Sequence, residues 1–411
     1  LDPNGVAVSV SGEGTNLTIT GGYYDGSEGG DNRCIQVNKG ATVTIKDGTF
    51  TVGGDATGLG NSVVLCNGGT VVIEGGFFYT DYAYRNFYYV LNQQNSNPGT
   101  ITVKGGTFVN YNPANGDDNL GGNFVADGYT VISETKANGD VWYTVVAEKK
   151  FSTVEEAFSD IDFGYGTTST EPVSIDGKGV TVIEKWADAW VNSDTTIKGV
   201  TFKNGAVFST KADNVTVTLE NCTFYACDQS KLTYNGNNSL TNSGAGMCLN
   251  LEKSAKTGVK FIVKNCTFIG ENDKTLSAEG PRYNGDGTQN GMKKRGHAIA
   301  LDAICGGGTG TLDSMLIDGC VIDGVRGNAI QLYGKTGDIT IKNTKINSWA
   351  VNNTGIGYAA CGDFDANGSR TLSLSNVYFG LDEISGNTEF GHVKVGAFSG
   401  NTDGTRKAGT Y

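Results

Sequence analysis

The sequence contains little proline, histidine or charge. Its 411 residues include only 5 proline and 2 histidine, and Asp, Glu, Lys and Arg together make up 18%. Two histidines are a poor supply for a histidine-rich zinc site or a histidine-dependent catalytic triad. Residues that favour long helices are also scarce, which argues against all-helical and doubly wound α/β folds. These shortages favour a fold built from strands.

Long apolar segments and large basic clusters are missing as well. No apolar stretch approaches the ~20 residues that a membrane-spanning helix requires. The formal net charge is −12, and the longest cationic run covers only residues 293–295. Nucleic-acid binding depends on basic surfaces that neutralise phosphates. The sequence therefore predicts neither membrane insertion nor a nucleic-acid partner. No signal-peptide pattern follows Leu1, which leaves export open.

Glycine is abundant, and it recurs within a repeated motif. The 62 glycines follow no collagen period, so they suit tight corners better than disorder. Four copies of the motif read N-L-T-I-T-G-G-Y-Y, A-T-V-T-I-K-D-G-T-F, G-T-V-V-I-E-G-G-F-F and G-T-I-T-V-K-G-G-T-F. Aligned on Ile19, Ile45, Ile73 and Ile101, they lie 26, 28 and 28 residues apart.

Each copy predicts a strand, a corner and a second short strand. Apolar residues at every second position indicate a strand with one buried face, and the glycine pair indicates a turn. A fixed period of this size is typical of stacked repeats. We therefore predict an all-β fold, a right-handed parallel β-helix (solenoid) in two stacked segments separated by a β-hairpin and a short capping helix.

The repeats divide the chain into three predicted parts. Residues 1–122 form a regular β-helix segment, and residues 123–148 form a hairpin about an Asn-Gly turn, a strong hairpin signal. Residues 149–411 form a second β-helix segment, in which the motif is looser and loops are inserted, most conspicuously over residues 271–297. Loops on a repeat scaffold are common binding sites.

The second segment begins with the signature of a short amphipathic helix. Ser152 or Thr153, followed three residues later by Glu155 or Glu156, makes a capping box. Val154, Ala157 and Phe158 would then form its apolar face. Because the end of a β-helix exposes unpaired strand edges, we expect this helix to cover that end.

Three of the nine cysteines occupy equivalent positions in the looser motif. Cys222 and Cys266 stand in N-C-T-F and Cys320 in D-G-C-V. Equivalent positions stack in a β-helix, so these residues are predicted to form a buried ladder of free thiols. A disulfide or metal is the alternative, and pairing among the remaining cysteines stays open.

The T-V-x-I-x-G-G-T-F and N-C-T-F motifs resemble the pectate-lyase-like right-handed parallel β-helix superfamily, over most of the chain. Its members include polysaccharide lyases and hydrolases, phage tailspikes and fibres, and bacterial adhesins, so the resemblance implies a fold more than an activity. The stretch G-Y-T-V-I…N-G-D-V-W-Y-T-V-V, followed by F-S-T-V-E-E-A-F, is similar to surface proteins of gut bacteria and their phages. Phage tailspike and fibre proteins and bacterial adhesin-like proteins are nearest in character.

The catalytic motifs of that superfamily are incomplete here. Hydrolases carry N-T-D, D-D, G-H-G and R-I-K, whereas Gly296-His297-Ala298 lacks the second glycine. Residues 280–282 do not complete the Arg-x-Pro-x-x-Arg motif of the lyases. An inverting hydrolase also needs two carboxyl groups about 6.5–9.5 Å apart. If the chain is an enzyme, the catalytic candidates are Asp302, Asp318, Asp323, His297 and Arg326. For Asp318 and Asp323 a role in turns is the favoured alternative.

Aromatic residues provide a second group of candidates. Tyr82, Tyr84 and Tyr88 surround Arg85, and Trp186 and Trp190 lie four residues apart. Such residues bind the faces of sugar rings or make subunit contacts when exposed, and they pack in the interior when buried. We predict these six residues as the ligand-binding set, with packing as the alternative.

One segment resembles a calcium loop. Asp363, Asp365 and Asn367 have the D-x-D-x-N-G spacing, but Leu374 replaces the bidentate glutamate at the twelfth position. The segment is a weak candidate for a structural Ca²⁺ site, with a polar loop as the alternative. No other cofactor is predicted.

These observations favour a non-enzymatic structural and recognition protein. It would be a virion fibre, spike or capsid-decoration protein of a phage, or a bacterial surface adhesin, and therefore extracellular. Predicted partners are a cell-surface or capsular glycan, further copies of the chain in a homotrimer, or other virion or surface subunits. The alternative is a polysaccharide lyase or glycoside hydrolase acting in a side groove of the β-helix.

Overall fold

The fold is described by a computed structural model. The residues it describes are 6–27, 32–53, 61–81, 88–116, 122–160, 171–185, 187–225, 247–250, 256–270, 299–302, 312–323, 329–333, 336–347, 356–361, 371–380, 393–398 and 407–408. The chain divides into two compact units, Leu1–Glu148 and Lys149–Tyr411. Both are all-β solenoids of parallel strands. Within the described residues, no helix has the length and apolar character needed to span a bilayer.

Within its described residues, the first unit contains twelve strands in two sheets. They are β1 Val6–Val10, β2 Asn16–Asp25, β3 Arg33–Asn38, β4 Thr42–Val52, β5 Ser62–Asn67, β6 Thr70–Ile73, β7 Phe77–Thr80, β8 Leu91–Gln93, β9 Thr100–Val103, β10 Thr107–Val109, β11 Tyr129–Thr135 and β12 Val141–Ala147. Strands β1, β3, β5 and β8 form a parallel sheet of four. The others form a sheet of eight, in which β4 pairs with β2 and with both β6 and β7. The unit therefore makes four coils.

The register of the fourth coil differs from the sequence alignment. Ile19, Ile45 and Ile73 lie in one column, as predicted, but the column continues to Val103. Ile101 pairs with Val71 instead. The alignment on Ile101 was wrong because the connection before β9 is two residues longer, so the third interval is 30 residues and not 28. Ile101 and Val103 are both β-branched and both point inward, so they look equivalent in the sequence.

Aromatic rings fill the centre of this unit. Tyr24, Phe50, Phe78 and Phe108 stack with ring centroids 5.0, 5.0 and 4.8 Å apart and planes within 12° of parallel. The three phenylalanines are fully buried. Their spacing follows the distance of about 4.8 Å between neighbouring strands, so one aromatic residue per coil builds a continuous core.

A hairpin closes the last coil. Strands β11 and β12 pair antiparallel about Gly139, and β12 pairs antiparallel with β10. Val145 turns inward and is buried against the core. Because β12 occupies the hydrogen-bonding edge of β10, the hairpin covers an edge that would otherwise be open.

The part of the second unit that the structure describes contains one helix and twenty-one strands. They are α1 Val154–Asp160 and β13 Lys149–Phe151, β14 Val173–Ile183, β15 Ala187–Val191, β16 Thr195–Phe202, β17 Ala206–Thr210, β18 Thr216–Glu220, β19 Thr223–Tyr225, β20 Met247–Asn250, β21 Val259–Lys264, β22 Thr267–Ile269, β23 Ile299–Asp302, β24 Leu312–Asp318, β25 Val321–Asp323, β26 Ile330–Tyr333, β27 Thr336–Lys342, β28 Lys345–Ile346, β29 Ile356–Cys361, β30 Leu372–Ser375, β31 Tyr378–Phe379, β32 Val393–Phe398 and β33 Lys407–Ala408.

These strands form two long sheets. One contains thirteen strands, all parallel, and the other contains eight, with only β33 antiparallel. At the first coil, Thr153 Oγ1 accepts a hydrogen bond from the Glu156 amide at 3.2 Å, and the Glu156 carboxylate accepts one from the Thr153 amide at 3.3 Å. This is the predicted capping box. Val154, Ala157 and Phe158 are buried in the core, as their pattern indicated.

The predicted cysteine ladder is present. Cys222, Cys266 and Cys320 are buried free thiols in one core. Each follows a residue with positive φ, namely Asn221 (52°), Asn265 (51°) and Gly319 (69°). The left-handed conformation, which asparagine and glycine adopt most readily, turns the chain and directs the next side chain inward. Burial also holds the pKa of the Cys266 thiol well above its ordinary value.

An alternating ladder of charges runs along the outside of the thirteen-stranded sheet. Successive coils place opposite charges side by side at one position, in the order Asp176, Lys198, Glu220, Lys264, Asp318 and Lys342. Lys198 Nζ lies 3.4 Å from Asp176, and Lys342 Nζ lies 3.3 Å from Asp318. A slip of one strand along its neighbour would separate these opposite charges, so the ladder favours the observed register.

Candidate functional site

The first unit carries a group of aromatic residues on the outer side of its eight-stranded sheet. We call this surface the aromatic face. Its members occupy two columns: Tyr23, Thr49, Phe77, Thr107 and Thr144 in one, and Asp25, Thr51, Tyr79, the buried Val109 and Trp142 in the other. They alternate along each strand with the buried ring stack, because successive side chains point to opposite sides of a sheet.

Trp142 and Phe77 form the centre of this face. Their ring centroids are 5.1 Å apart with planes inclined at 63°, an edge-to-face contact. Lys136 Nζ lies 4.4 Å from the centroid of the Trp142 ring and forms an ion pair with Glu134. Both rings remain partly accessible. Such fixed and partly exposed rings present flat apolar area that loses little entropy on binding.

Hydrogen bonds to the Asp140 carboxylate hold the hairpin turn in place, two residues before Trp142. Asp140 accepts hydrogen bonds from Asn110 Nδ2 at 2.8 Å and Asn138 Nδ2 at 2.7 Å. Asn110 Oδ1 in turn accepts a bond from the Val141 amide at 2.9 Å. These bonds join the turn of the hairpin to the end of β10. Thr107 and Thr144 add a hydroxyl–hydroxyl contact of 3.0 Å. The aromatic face is therefore rigidly supported.

Tyr79 contributes a hydroxyl group beside the rings. Its pKa is raised, first by partial burial and then by the nearby negative charges of Asp81 and Asp140, with a smaller effect from Tyr88. A tyrosine phenol is already protonated at neutral pH, and the raised pKa keeps Tyr79 protonated further into the alkaline range. Tyr79 can therefore donate a hydrogen bond to a hydroxyl or carbonyl group of a ligand.

The structure describes only two of the six predicted ligand-binding residues. Tyr88 is partly exposed and close enough to Tyr79 to affect its pKa, so it borders the aromatic face. Trp190 lies in β15 of the second unit, where it pairs with Ser209 and has Lys211 Nζ 5.9 Å from its ring. Tyr82, Tyr84, Arg85 and Trp186 lie outside the described residues.

The central residues of this face, Phe77 and Trp142, were not predicted. Phe77 alternates with the buried Phe78, so its outward direction could have been inferred from strand periodicity. Trp142 stands in the alternating stretch V-W-Y-T-V and faces outward for the same reason. What the sequence does not reveal is that antiparallel pairing of β10 with β12 brings the two rings together.

The three described aspartates among the catalytic candidates are divided between two sheets. Asp302 belongs to the eight-stranded sheet of the second unit, whereas Asp318 and Asp323 belong to the thirteen-stranded sheet. Hydrogen bonding from Asn343 and the charge of Lys342 hold the pKa of Asp318 below its usual value. A general acid in glycoside hydrolysis needs a raised pKa, so Asp318 is unsuited to that role. His297 and Arg326 lie outside the described residues.

A shallow polar cavity of about 310 Å³ lies on the second unit. It is lined mainly by threonine and serine hydroxyls together with Asp194. Asp194 Oδ1 accepts a hydrogen bond from the Thr216 amide at 2.7 Å, which ties the carboxylate to the neighbouring coil. The carboxylate in this lining is that of Asp194.

The predicted calcium ligands Asp363, Asp365 and Asn367 lie outside the described residues. Within the described part of the chain, no three His, Cys, Asp or Glu side chains are grouped so as to hold a metal ion.

Comparison with known proteins adds no relative. No protein-family model, no curated protein and no solved structure matches the chain.

Proposed function

We propose that the chain is a non-enzymatic recognition protein of the pectate-lyase-like β-helix type, displayed outside the cell on a phage virion or a bacterial surface. It would bind a cell-surface or capsular glycan through the aromatic face. The observation that carries this proposal is the contact between Phe77 and Trp142 on the outside of a stiff sheet.

The chemistry of this face suits carbohydrate. A sugar ring presents an apolar face that packs on an aromatic ring and a rim of hydroxyl groups that needs hydrogen-bonding partners. Phe77 and Trp142 offer the apolar surface. Tyr79 and the threonines of the two columns offer hydroxyl groups at the same level.

The surroundings of Asp318 argue against its use as a general acid. Asp318, the best described of the catalytic candidates, is engaged with Lys342 and Asn343 in the second unit. A carboxylate that is stabilised in its ionised form by such partners is a poor proton donor. The alternative function, a polysaccharide lyase or hydrolase, is tested by the same experiment as binding, because that experiment also measures cleavage products.

Retention of the full chain on a panel of bacterial capsular, cell-wall and dietary polysaccharides tests the proposal. We expect retention on at least one of them, with no release of reducing ends or unsaturated products. Phe77→Thr and Trp142→Thr should each weaken binding about tenfold or more, because truncation of a central aromatic contact typically costs that much. Threonine already occupies neighbouring positions of the first column, so Phe77→Thr should fold normally.

Tyr378→Ala provides the matched control. Tyr378 is 58% exposed but lies in the second unit, so its removal should leave retention unchanged. Failure of every polysaccharide to bind, or equal retention of Phe77→Thr and the unmodified chain, would contradict the proposal. Release of cleavage products would establish the enzyme alternative instead.

A further inference from the structure

We infer that the ligand of the aromatic face is a neutral, extended glycan whose chain crosses the coils along the stacking direction of the first unit. This inference rests on the proposed function and adds the charge class, the length and the direction of the ligand. Three observations carry it: the distribution of rings over the coils, the hydroxyl groups between them, and the charge of the unit.

The rings are spread along the stacking direction and not around one coil. Tyr23 lies on the first coil, Phe77 on the third, and Trp142 on the hairpin that follows the fourth. With neighbouring strands about 4.8 Å apart, four steps cover about 19 Å. A single sugar ring is much shorter than this distance, so one terminal sugar would engage only part of the face.

Tyr23 lies in the same column as Phe77, two coils away from it. It is 68% exposed, the largest exposure among the described large apolar side chains. Its hydroxyl accepts a hydrogen bond from Thr51 Oγ1 of the next coil at 3.3 Å. This bond ties the Tyr23 ring to the second coil. Its exposure is explained if a bound chain covers it.

Hydroxyl groups bridge the interval between the rings. Thr49 stands between Tyr23 and Phe77 in one column, and Thr51 stands between Asp25 and Tyr79 in the other. Their β-branched side chains have few rotamers. Ordered hydroxyl groups at strand spacing can therefore pair with the hydroxyl rim of successive sugars at a low entropic cost.

The charge of the first unit disfavours an acidic glycan. Residues 1–148 contain 15 acidic and 6 basic residues, whereas residues 149–411 contain 28 acidic and 25 basic. Asp25 belongs to the aromatic face, and Asp81 and Asp140 act on Tyr79. Lys136, the cation placed over Trp142, is already paired with Glu134. A uronate polymer would meet repulsion at this surface, whereas a neutral chain would not.

Two measurements on the full chain test this inference. In the first, mannan, xylan and β-glucan are compared with polygalacturonate and alginate at low and moderate salt. We expect a neutral polymer to bind best, with an affinity that changes less than about twofold with salt, because no charge is neutralised. Preferential retention on an acidic polymer would contradict the inference while leaving glycan recognition intact.

In the second, sized fragments of the neutral polysaccharide that binds best are titrated. Affinity should rise about tenfold or more between two and six sugar units. Tyr23→Thr should weaken the six-unit fragment about fivefold and leave the two-unit fragment unchanged, whereas Phe77→Thr should weaken both. Equal affinities for the two fragments, or no effect of Tyr23→Thr, would refute an extended ligand. Complete absence of glycan binding would refute the proposed function itself.

Discussion

The two units build the same corner between strands in different ways. In the first unit the chain turns at a glycine pair, as at Gly75-Gly76 and Gly105-Gly106. In the second unit it turns at a single left-handed residue, as at Asn265 and Asn343. A buried aromatic or aliphatic residue follows each corner, two residues after the second glycine (Phe78, Phe108) and three residues after the asparagine (Phe268, Ile346). A solenoid corner therefore has no fixed sequence.

The difference lies in what surrounds the turn. A Cβ atom on Gly75 would lie 2.2 Å from the carbonyl oxygen of Lys46, and one on Gly105 would lie 2.0 Å from that of Glu74. No side chain fits there. In the second unit the turning residue instead uses its side chain, since Asn376 Nδ2 donates to Asn343 Oδ1 at 3.0 Å. The glycine corner depends on close backbone approach, whereas the asparagine corner needs only the left-handed conformation and adds an exposed amide contact.

The largest effect on stability is expected when the corner residue of one unit is replaced by that of the other. Gly105→Asn should destabilise the first unit by about 3 kcal/mol or more, because its Cβ would displace the backbone of the preceding coil. Asn265→Gly should change the second unit by less than about 1 kcal/mol, because glycine adopts the left-handed conformation freely. Denaturant unfolding followed by hydrogen exchange of each unit measures both. Equal losses of unfolding free energy for the two substitutions would contradict the proposed difference between the glycine and asparagine corners.

A smaller effect should appear when the pH is raised. Burial raises the pKa of the Cys34 thiol to about 12 and that of Cys66 to about 11, from an ordinary value of 9.0. The unfolded chain therefore loses these protons first. Stability of the first unit is fully present below about pH 9 and should fall as the pH rises towards 11 to 12.

Thermal unfolding at a series of pH values measures this dependence. The double variant Cys34→Ala and Cys66→Ala should have a flatter profile between pH 9 and 11 than the unmodified chain, even if it is less stable throughout. An unchanged slope in the double variant would show that other groups cause the loss of stability.

The smallest effect is expected in the charge ladder of the second unit. Lys342→Glu places two carboxylates side by side at Asp318, but both positions are substantially exposed to solvent. The cost should therefore be about 1 kcal/mol or less and should shrink in high salt. Lys342→Gln is the control that removes the ion pair without adding repulsion. A cost that is large and independent of salt would mean that the ladder is not a screened surface interaction.

Local signals in the sequence predicted much of this architecture. The coils of the first unit follow from alternation and glycine pairs, the helix α1 from the Thr153–Glu156 capping box, and the thiol ladder from the equivalent positions of its cysteines. The misplaced register at Ile101 shows the limit, because inward β-branched residues two positions apart are interchangeable by pattern. The glycine pair Gly105-Gly106, which follows Val103 at the same distance as Gly75-Gly76 follows Ile73, gives the correct alignment of the fourth coil.

The aromatic face was less accessible to prediction. The sequence drew attention to the tyrosines around Arg85, where aromatic residues are dense. A high density of aromatic residues in the sequence does not show which of them lie close together in the fold. Phe77 and Trp142 meet because the hairpin folds back on β10 in an antiparallel sense, and that pairing depends on tertiary contacts that no short motif encodes.

The central claim is that successive coils lie in one defined register. Oxidative cross-linking of paired outward cysteines tests it most directly, because neighbouring strands bring Cα atoms within the 4.4–6.8 Å range that a disulfide spans. Thr70→Cys with Thr100→Cys, which the structure pairs, should form a disulfide efficiently in the folded protein. Val72→Cys with Thr100→Cys, which an interval of 28 residues would pair, should not. Efficient cross-linking of the second pair, or of neither, would contradict the account.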